Sequence, residues 1–452
     1  MQIDPNIFKA YDIRGKFPEE INLEVAEKIG YATAKFLSPK QKRNKMPLLI
    51  CRDVRSSSPV LKEALIRGIL AQGSDVVDIG IGTTPFFYFL THTENVDGGI
   101  MVTASHNSAE YNGFKIRNKD GKAVSLESGL KEIRKTIAKK NRTLNTRPGV
   151  LLLAKENYKG RYLKFISRNI SVPAKISVVV DAGGGSTAFF LPDLLSRFPN
   201  ITYKPMFFEP DGTFSHHLPN PLLEEAQKYV RAELKSGKFR FGAIFDSDGD
   251  RVAFLDEKGK LIRQDFILAL FAQDEIKSKK GGTFVLTVNT SKRVRESIEE
   301  LGGKVKLSPV GYINVEKLMR INNASLGVEL SGKLYFRDFF FDESGLLAFI
   351  RLTQIIASNS RPLSQLIEPL EHYTTSPEIN FEMKNETTIM SRVKKYYQKA
   401  KISAKDGLTV EFPDWWFNIR PSNTEPVMRL VLEAKTQELF DEKMRELKSL
   451  LK

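Results

Sequence analysis

Three aspartates alternate in the string Asp246-Ser247-Asp248-Gly249-Asp250-Arg251, directly after the apolar run Phe241–Phe245. Carboxylates at i, i+2 and i+4 of a loop can converge on one hard cation, which takes oxygen ligands and leaves room for a phosphate oxygen or a water. Gly249 permits the tight turn this needs, and Arg251 offers a planar fork to a phosphate. The string also begins like a calcium loop of the EF-hand type, but its flanks read as strands where that loop has helices. An acidic solvated turn is the plainer alternative.

Three further strings carry chemistry. Thr103-Ala104-Ser105-His106-Asn107 follows the apolar run 99–102 (GIMV). A serine at a strand's end among small and polar neighbours can act as nucleophile or phosphate carrier, although serine also suits a plain turn. Lys115, in 111–116 (YNGFKI), can supply charge or a proton, or be mere surface. Arg420-Pro421-Ser422-Asn423-Thr424-Glu425-Pro426 packs a guanidinium, hydroxyls and an amide into one short loop. Its backbone N–H groups with Arg420 make a phosphate cradle, or an ordinary turn. In 327–333 (GVELSGK), Glu329 and Ser331 lie two apart, so on a strand end they share a face and suit vicinal sugar hydroxyls. A hairpin or bulge fits the same residues.

The elements that must position these loops follow a recurring pattern of apolar strand, glycine or serine loop, and amphipathic helix. Residues 47–52 (PLLICR) run into DVRSSS and a helix over 59–72; Ile176–Asp181 runs into AGGGST and another helical pattern; 283–288 (TFVLTV) runs into 289–291 and a helix over 292–301. Such alternation predicts α/β units with largely parallel strands and active loops at their carboxyl ends. Breaks near 145–149, 256–260 and 368–377 divide the chain. The expected fold is three similar α/β domains with mixed, largely parallel sheets (1–150 with the serine loop, 151–256 with the aspartate loop, 257–369 with the Glu-Ser loop). A smaller α+β domain, 370–452, carries the Arg420 loop; it holds β-type runs at 378–383 and 408–412 and a closing helix at 436–452.

Length and composition agree with several globular domains: 452 residues, 41% apolar and 27% charged. No uninterrupted apolar stretch of about 18 residues exists, so no membrane span is expected. The N-terminal segment has no apolar core of a signal peptide, and the single cysteine, Cys51, suits a reducing compartment; the expected location is cytoplasmic. The net charge of +15 is spread along the chain, denser at 131–147 and 392–405, without interleaved aromatics. That distribution suits attraction of anionic small molecules, and no nucleic-acid partner is expected.

In this order and spacing, the four strings resemble the α-D-phosphohexomutase superfamily, and within it bacterial phosphomannomutase/phosphoglucomutase. The likeness also takes in 8–15 (FKAYDIRG), 82–86 (GTTPF) and 211–222 (DGTFSHHLPNPL), so it spans nearly the whole chain. The resemblance implies four domains around a central cleft, each giving one loop, with closure by the C-terminal domain. It implies Ser105 as the phosphoserine, and Asp246, Asp248 and Asp250 as Mg2+ ligands with the Ser105 phosphate completing the set. Arg251 and Lys115 are then catalytic, Lys115 in proton transfer. Tyr11, Arg14 and His106 line the substrate site, Glu329 and Ser331 hold sugar hydroxyls, and Arg420, Ser422, Asn423 and Thr424 grip the non-transferring phosphate. The implied partner is a small sugar phosphate, mannose and/or glucose, interconverted between its 1- and 6-phosphates with a hexose 1,6-bisphosphate as intermediate and activator. The assembly is a monomer or homodimer.

Three positions depart from the family pattern. Ser108 stands where many members have proline, Tyr312 where some have a histidine, and Lys333 where the sugar loop ends in histidine. Lys333 is carried over as catalytic, but a lysine of ordinary pKa near ~10.4 stays protonated at neutral pH and donates instead of accepting a proton. Glu329-Leu330-Ser331 is nearer the Glu-Met-Ser form of glucose/mannose enzymes than the Glu-Gln-Ser form of phosphoglucosamine mutases, the alternative within the family. A metal-dependent phosphomonoesterase and a non-catalytic anion- or nucleic-acid-binding relative are the rivals outside it.

Overall fold

The computed structural model describes residues 3–38, 46–139, 147–154, 157–279, 281–382, 386–422 and 427–451. By internal contacts the chain forms two units: Met1–Leu261 with Asp342–Ser360, and Ile262–Phe341 with Arg361–Lys452.

In the first unit, one sheet runs in the spatial order Ile13–Lys16, Tyr111–Asn118, Gly98–Val102, Leu48–Arg52, Val76–Ile81, Leu151–Leu152. The last four are mutually parallel, whereas Tyr111–Asn118 is antiparallel to both neighbours. Gly98–Val102 is buried along its length, as an unbroken apolar run covered on both faces must be. The helices Leu23–Leu37 and Ser58–Gln72 meet backbone to backbone. Gly30 and Gly68 allow it, since a Cβ on Gly30 would lie 2.1 Å from the Leu65 carbonyl oxygen and one on Gly68 1.9 Å from that of Glu27.

The second sheet of this unit orders Val252–Asp256, Phe241–Phe245, Ile176–Asp181 and Ile201–Met206. The last three are parallel, and Val252–Asp256 folds back antiparallel with Phe245 opposite Val252. The whole aspartate string is therefore a hairpin connection. Phe86 from the first sheet's side packs against Tyr162 and Phe190, with ring centroids 5.6 and 5.2 Å apart. The helix Gly345–Ala357 joins this unit although it lies within 257–369. It is apolar nearly all round and needs cover on every side. Phe349 supplies part of that cover against Phe241 and Phe245, and the Gly345 N–H donates to the Gly249 carbonyl at 3.2 Å.

The second unit begins with a sheet in the order Lys304–Ser308, Thr283–Thr287, Leu326–Glu329, Lys333–Phe336, the first three parallel and the last antiparallel. Its other sheet is antiparallel: Thr374–Thr375, Val427–Ala434, Trp415–Pro421, Leu408–Glu411, Lys401–Ser403, with Ile379–Glu382 also paired to Val427–Ala434. Phe417 and Ile419, and opposite them Leu432 and Leu430, alternate onto one face. The helices Glu386–Tyr396 and Gln437–Leu450 bury that face through Val393 and Leu447. Three mixed α/β layers followed by a smaller C-terminal α+β layer is the architecture expected from the sequence. No helix among the described residues is long and apolar enough to cross a membrane.

Candidate active site

Ser105 lies three residues beyond the strand Gly98–Val102 and is 2% exposed, with φ of 51°. A left-handed backbone crowds a Cβ against the following carbonyl, so neighbours must hold it there. The Ser105 N–H donates to Thr103 Oγ1 at 2.9 Å, and the Ser105 carbonyl accepts from Arg55 Nη2 at 2.6 Å. The hydroxyl that remains donates to Asp246 Oδ2 at 3.0 Å. Two neighbours in sequence, His106 and Asn107, are half-buried, and Asn107 Oδ1 accepts from Arg14 Nη1 at 2.8 Å. Arg14 is held in turn by Asp12 at 2.5 Å. Tyr11 sits half-buried in the same N-terminal segment.

The aspartate hairpin is wholly buried at Asp246, Asp248 and Asp250. One carboxylate oxygen from each lies within 4.8 Å of the others. Gly249 takes φ of 70°, and a Cβ there would come within 2.6 Å of Thr187 Cγ2, so glycine is required for both reasons. Asp248 Oδ2 accepts from Thr84 Oγ1 at 2.6 Å and from Lys115 Nζ at 2.7 Å, and Asp250 Oδ2 accepts from Lys115 at 2.6 Å. Thr84 opens the helix Thr84–Thr93, capped by Thr83, and its N–H donates to the Asp248 carbonyl at 2.8 Å. The second sheet's hairpin is thus pinned to the first sheet's helix start. Arg251 Nε stands 3.8 Å from both Asp246 Oδ2 and Asp250 Oδ1.

The electrostatics follow from crowding. Burial, then repulsion from Asp248 and Asp250, pushes the Asp246 carboxyl well above its usual range. Burial alone would lower Lys115, but the charges of Asp248 and Asp250 outweigh it and raise the ammonium above an ordinary lysine. As paired here with Asp248 and Asp250, the Lys115 ammonium is favoured in its charged form. Three carboxylates against Lys115 and Arg251 leave one net negative charge, and Asp248 Oδ1 is buried without a hydrogen-bond partner among the described residues. An oxygen-only, net-negative set with a spare lone pair fits a hard divalent cation.

In the second unit the strand ends at Glu329, and Ser331 lies in a three-residue hairpin turn completed by Gly332 at φ of 101°. The hairpin reading therefore holds, and Glu329 pairs across the ladder with Lys333 instead of sharing a strand face with Ser331. Glu329 Oε1 accepts from the Gly311 N–H at 2.9 Å, and Oε2 accepts from the Tyr335 hydroxyl. Lys333, 6% exposed, sets its ammonium 5.0 Å from the Tyr312 ring centroid. Two of the three departures from the family pattern, Lys333 and Tyr312, are thus in contact with each other. Gln264 fixes the turn by donating to the Gly332 carbonyl at 3.1 Å.

Arg420 is buried at the end of the strand Trp415–Pro421 and pairs with Glu378 at 2.7 Å. Arg429, opposite it in the ladder, takes the other Glu378 oxygen at 3.1 Å. Ser422 is half-buried, its N–H donating to the Val427 carbonyl at 2.8 Å. Asn423 and Thr424 lie outside the described residues.

The structure brings Ser105, Lys115, Arg251 and the three aspartates together in the first unit, and Glu329 with Lys333, and Arg420 with Ser422, in the second. Sequence reasoning missed Arg55, Thr84 and Glu378. GTTPF signals Thr84 in retrospect, as the first helical residue between the N-cap Thr83 and a helix-starting proline; Arg55 and Glu378 have no local signal.

Four family models match in chain order: Phosphoglucomutase/phosphomannomutase alpha/beta/alpha domain I over 5–143, domain II over 160–259, domain III over 263–373, and the C-terminal domain over 378–448. The phosphomannomutase of Vibrio cholerae is 35% identical, over 98% of this chain and 98% of its own. Phosphohexose mutases of Xanthomonas campestris are 34% identical, over 96% of this chain and 98% of theirs. Among solved structures, a phosphoglucomutase/phosphomannomutase family protein from Burkholderia thailandensis superposes with a TM-score of 0.91 at 30% identity, covering 99% of this chain and 97% of its own. With likeness running through every domain and nearly every residue, the chain is an enzyme of the phosphoglucomutase/phosphomannomutase family.

Proposed function

We propose that this enzyme interconverts hexose 1-phosphate and hexose 6-phosphate, with mannose and/or glucose as the sugar, through phospho-Ser105 and a hexose 1,6-bisphosphate. The observation that carries the reading is the 3.0 Å contact of Ser105 Oγ with Asp246, inside a carboxylate set able to hold a metal ion. Asp246, Asp248 and Asp250 would hold Mg2+, which when bound neutralises charge on the phosphate oxygens.

The remaining chemistry belongs to the chain. The bond from Ser105 Oγ to phosphorus breaks as the free sugar hydroxyl forms its own bond to phosphorus, and the proton lost by that hydroxyl is balanced by the one Ser105 Oγ takes up to become the hydroxyl that donates to Asp246. The bisphosphate turns over, and its other phosphoryl returns to Ser105 Oγ. Lys115 and Arg251 keep positive charge beside the transferring group, and Arg420 with Ser422, Asn423 and Thr424 grips the idle phosphate. Glu329, Ser331 and Lys333 hold the sugar in both orientations, and Tyr11, Arg14 and His106 line the approach. Both ends of the sugar meet the same groups, so one clamp and one cradle suffice. Relatives bearing the names phosphomannomutase and phosphohexose mutase, and the Glu329-Leu330-Ser331 string, support mannose and glucose as the sugars.

Incubation with glucose 1,6-bisphosphate, followed by intact-mass analysis, should show one phosphate added to the wild type and none to Ser105→Ala. Coupled assays on mannose, glucose and glucosamine 1-phosphates should show turnover on the first two, reduced at least about 10⁴-fold by Ser105→Ala. Unchanged turnover in that variant would end the proposal.

A further inference from the structure

Arg55 is fully buried, and no motif in the sequence marks it. Its guanidinium spends its N–H groups on the backbone around Ser105. Nη2 donates to the carbonyls of Ser105 and Asn107, both at 2.6 Å; Nη1 donates to those of Ser108 at 2.6 Å and Tyr111 at 3.1 Å. Nε donates to Asp53 Oδ2 at 3.1 Å, and Asp53 Oδ1 accepts the Arg55 N–H at 3.0 Å and the Ser58 hydroxyl at 2.6 Å. The loop from 103 to 110 has no ladder of its own, so Arg55 supplies donors to the buried Ser105 carbonyl and to that of Asn107, and adds one to the Ser108 carbonyl, which also accepts the Tyr111 N–H at 3.2 Å.

The other side of the guanidinium is closed from the second sheet. The Phe214 ring lies 4.9 Å from Arg55 Cζ, itself in a left-handed conformation at φ of 53°. Asp211 builds that turn: its carboxylate accepts from the N–H and hydroxyl of both Thr213 and Ser215, and its carbonyl accepts the Phe214 N–H. Gly212 lets the turn approach, because a Cβ there would lie 2.4 Å from the Val54 carbonyl oxygen. Arg55 therefore sits where the nucleophile loop meets the sheet that carries the aspartate hairpin.

We propose that Arg55 is the positioning residue of the nucleophile loop: clamped by Asp53 and capped by Phe214, it fixes the left-handed backbone from which Ser105 Oγ faces Asp246. The proposal rests on Ser105 being the phosphoryl carrier. Arg55 reaches the Ser105 carbonyl and no reacting atom, so its effect is on orientation. Lysine cannot replace it, since one ammonium cannot serve carbonyls on two sides and the Asp53 carboxylate at once.

The test compares Arg55→Lys, Phe214→Ala and Ser105→Ala in the full chain, with glucose 1,6-bisphosphate as phosphoryl donor and glucose 1-phosphate as substrate. Turnover is divided by the fraction of chains that take up one phosphate, because loss of folding lowers that fraction while loss of positioning lowers the rate per phosphorylated chain. Arg55→Lys should lower kcat per phosphorylated chain about 10²-fold with KM within about threefold. Phe214→Ala, which leaves every Arg55 hydrogen bond in place, should lower it about fivefold. A per-phosphate kcat within about twofold of wild type in Arg55→Lys, with Ser105→Ala inactive, overturns the role of Arg55 and spares the mutase reading. Should Arg55→Lys fail to fold, Phe214→Ala decides alone: a reduced per-phosphate rate supports the clamp and an unchanged one overturns it. An active Ser105→Ala removes the underlying reading instead.

Discussion

The two units join their paired sheets by different means. In the first, the groups of the candidate site are themselves among the bridges, beside the packing of Phe86 on Phe190 and the Arg161–Glu94 pair: Lys115 and Thr84 reach across to Asp248 and Asp250, and Ser105 reaches Asp246. In the second, most bridges are ordinary ion pairs and caps. Arg295 pairs with Glu411, the Lys292 N–H donates to Glu433 at 2.8 Å, and the Val310 N–H donates to Asp406 at 2.8 Å. Glu378, which takes Arg420 and, at 3.3 Å, Asn289, belongs to both the junction and the candidate site. Where the charges proposed as catalytic are also the adhesive, activity and stability should fall together. Where the adhesive lies elsewhere, they should separate.

The strongest way to break this contrast is Lys115→Met, which keeps the length of the side chain and removes the buried counter-charge. Turnover should fall about 10³-fold, and stability in the presence of a chelator should drop by about 3 kcal/mol, because three buried carboxylates lose their partner. Urea melts and a coupled assay read the two effects; lost turnover with unchanged melting would mean that the pairing does not hold the sheets.

Lys333→Met should show the opposite balance in the second unit. Its ammonium rests over Tyr312, a contact worth about 1 kcal/mol, whereas turnover should fall by about 10²-fold if it clamps substrate or donates a proton. Equal turnover in mutant and wild type would reduce Lys333 to packing.

Glu411→Gln is the mildest change, expected to cost about 1 kcal/mol for a part-buried pair and to leave kcat within about twofold. Its pH dependence sharpens the comparison. Burial would raise the Glu411 carboxyl, but the hydrogen bond and charge of Arg295, then Lys401, hold it below the ordinary glutamate value. A folded value below the unfolded one contributes stability that is present above about pH 4.3 and is lost as pH falls through the folded value. Urea midpoints of wild type and Glu411→Gln should therefore differ at neutral pH and converge in acid; a gap that stays constant would count against the pair.

The contrast also explains what could be read from the sequence. The aspartate string, the Ser105 loop and the Arg420 loop are contiguous, each bounded by an apolar strand run, so periodicity and residue type exposed them together. Ile176–Asp181 and Phe241–Phe245 were legible for the same reason, being continuous buried runs. Arg55 was not, since its partners are carbonyls about fifty residues onward and a carbonyl has no residue type. Lys115 could be named but not explained, because its two aspartates belong to another sheet. The pairing of Glu329 with Lys333 turned on one glycine, Gly332, whose positive φ makes a hairpin of what could also have been an extended strand end. The helix Gly345–Ala357 was assigned by chain continuity, whereas its apolar surface sought cover in the other unit.

The most direct test of the mechanism follows the phosphoryl group itself. Enzyme carrying ³²P on Ser105 is mixed with one equivalent of unlabelled mannose 1-phosphate and Mg2+, quenched within a single turnover and separated into protein, sugar phosphates and inorganic phosphate. Label should leave the protein for the bisphosphate and end on O6 of mannose 6-phosphate while the unlabelled phosphoryl from O1 replaces it on Ser105, and a chelator should hold the label on Ser105. Label that stays on the protein while product forms, or that leaves only as inorganic phosphate, would contradict transfer through Ser105.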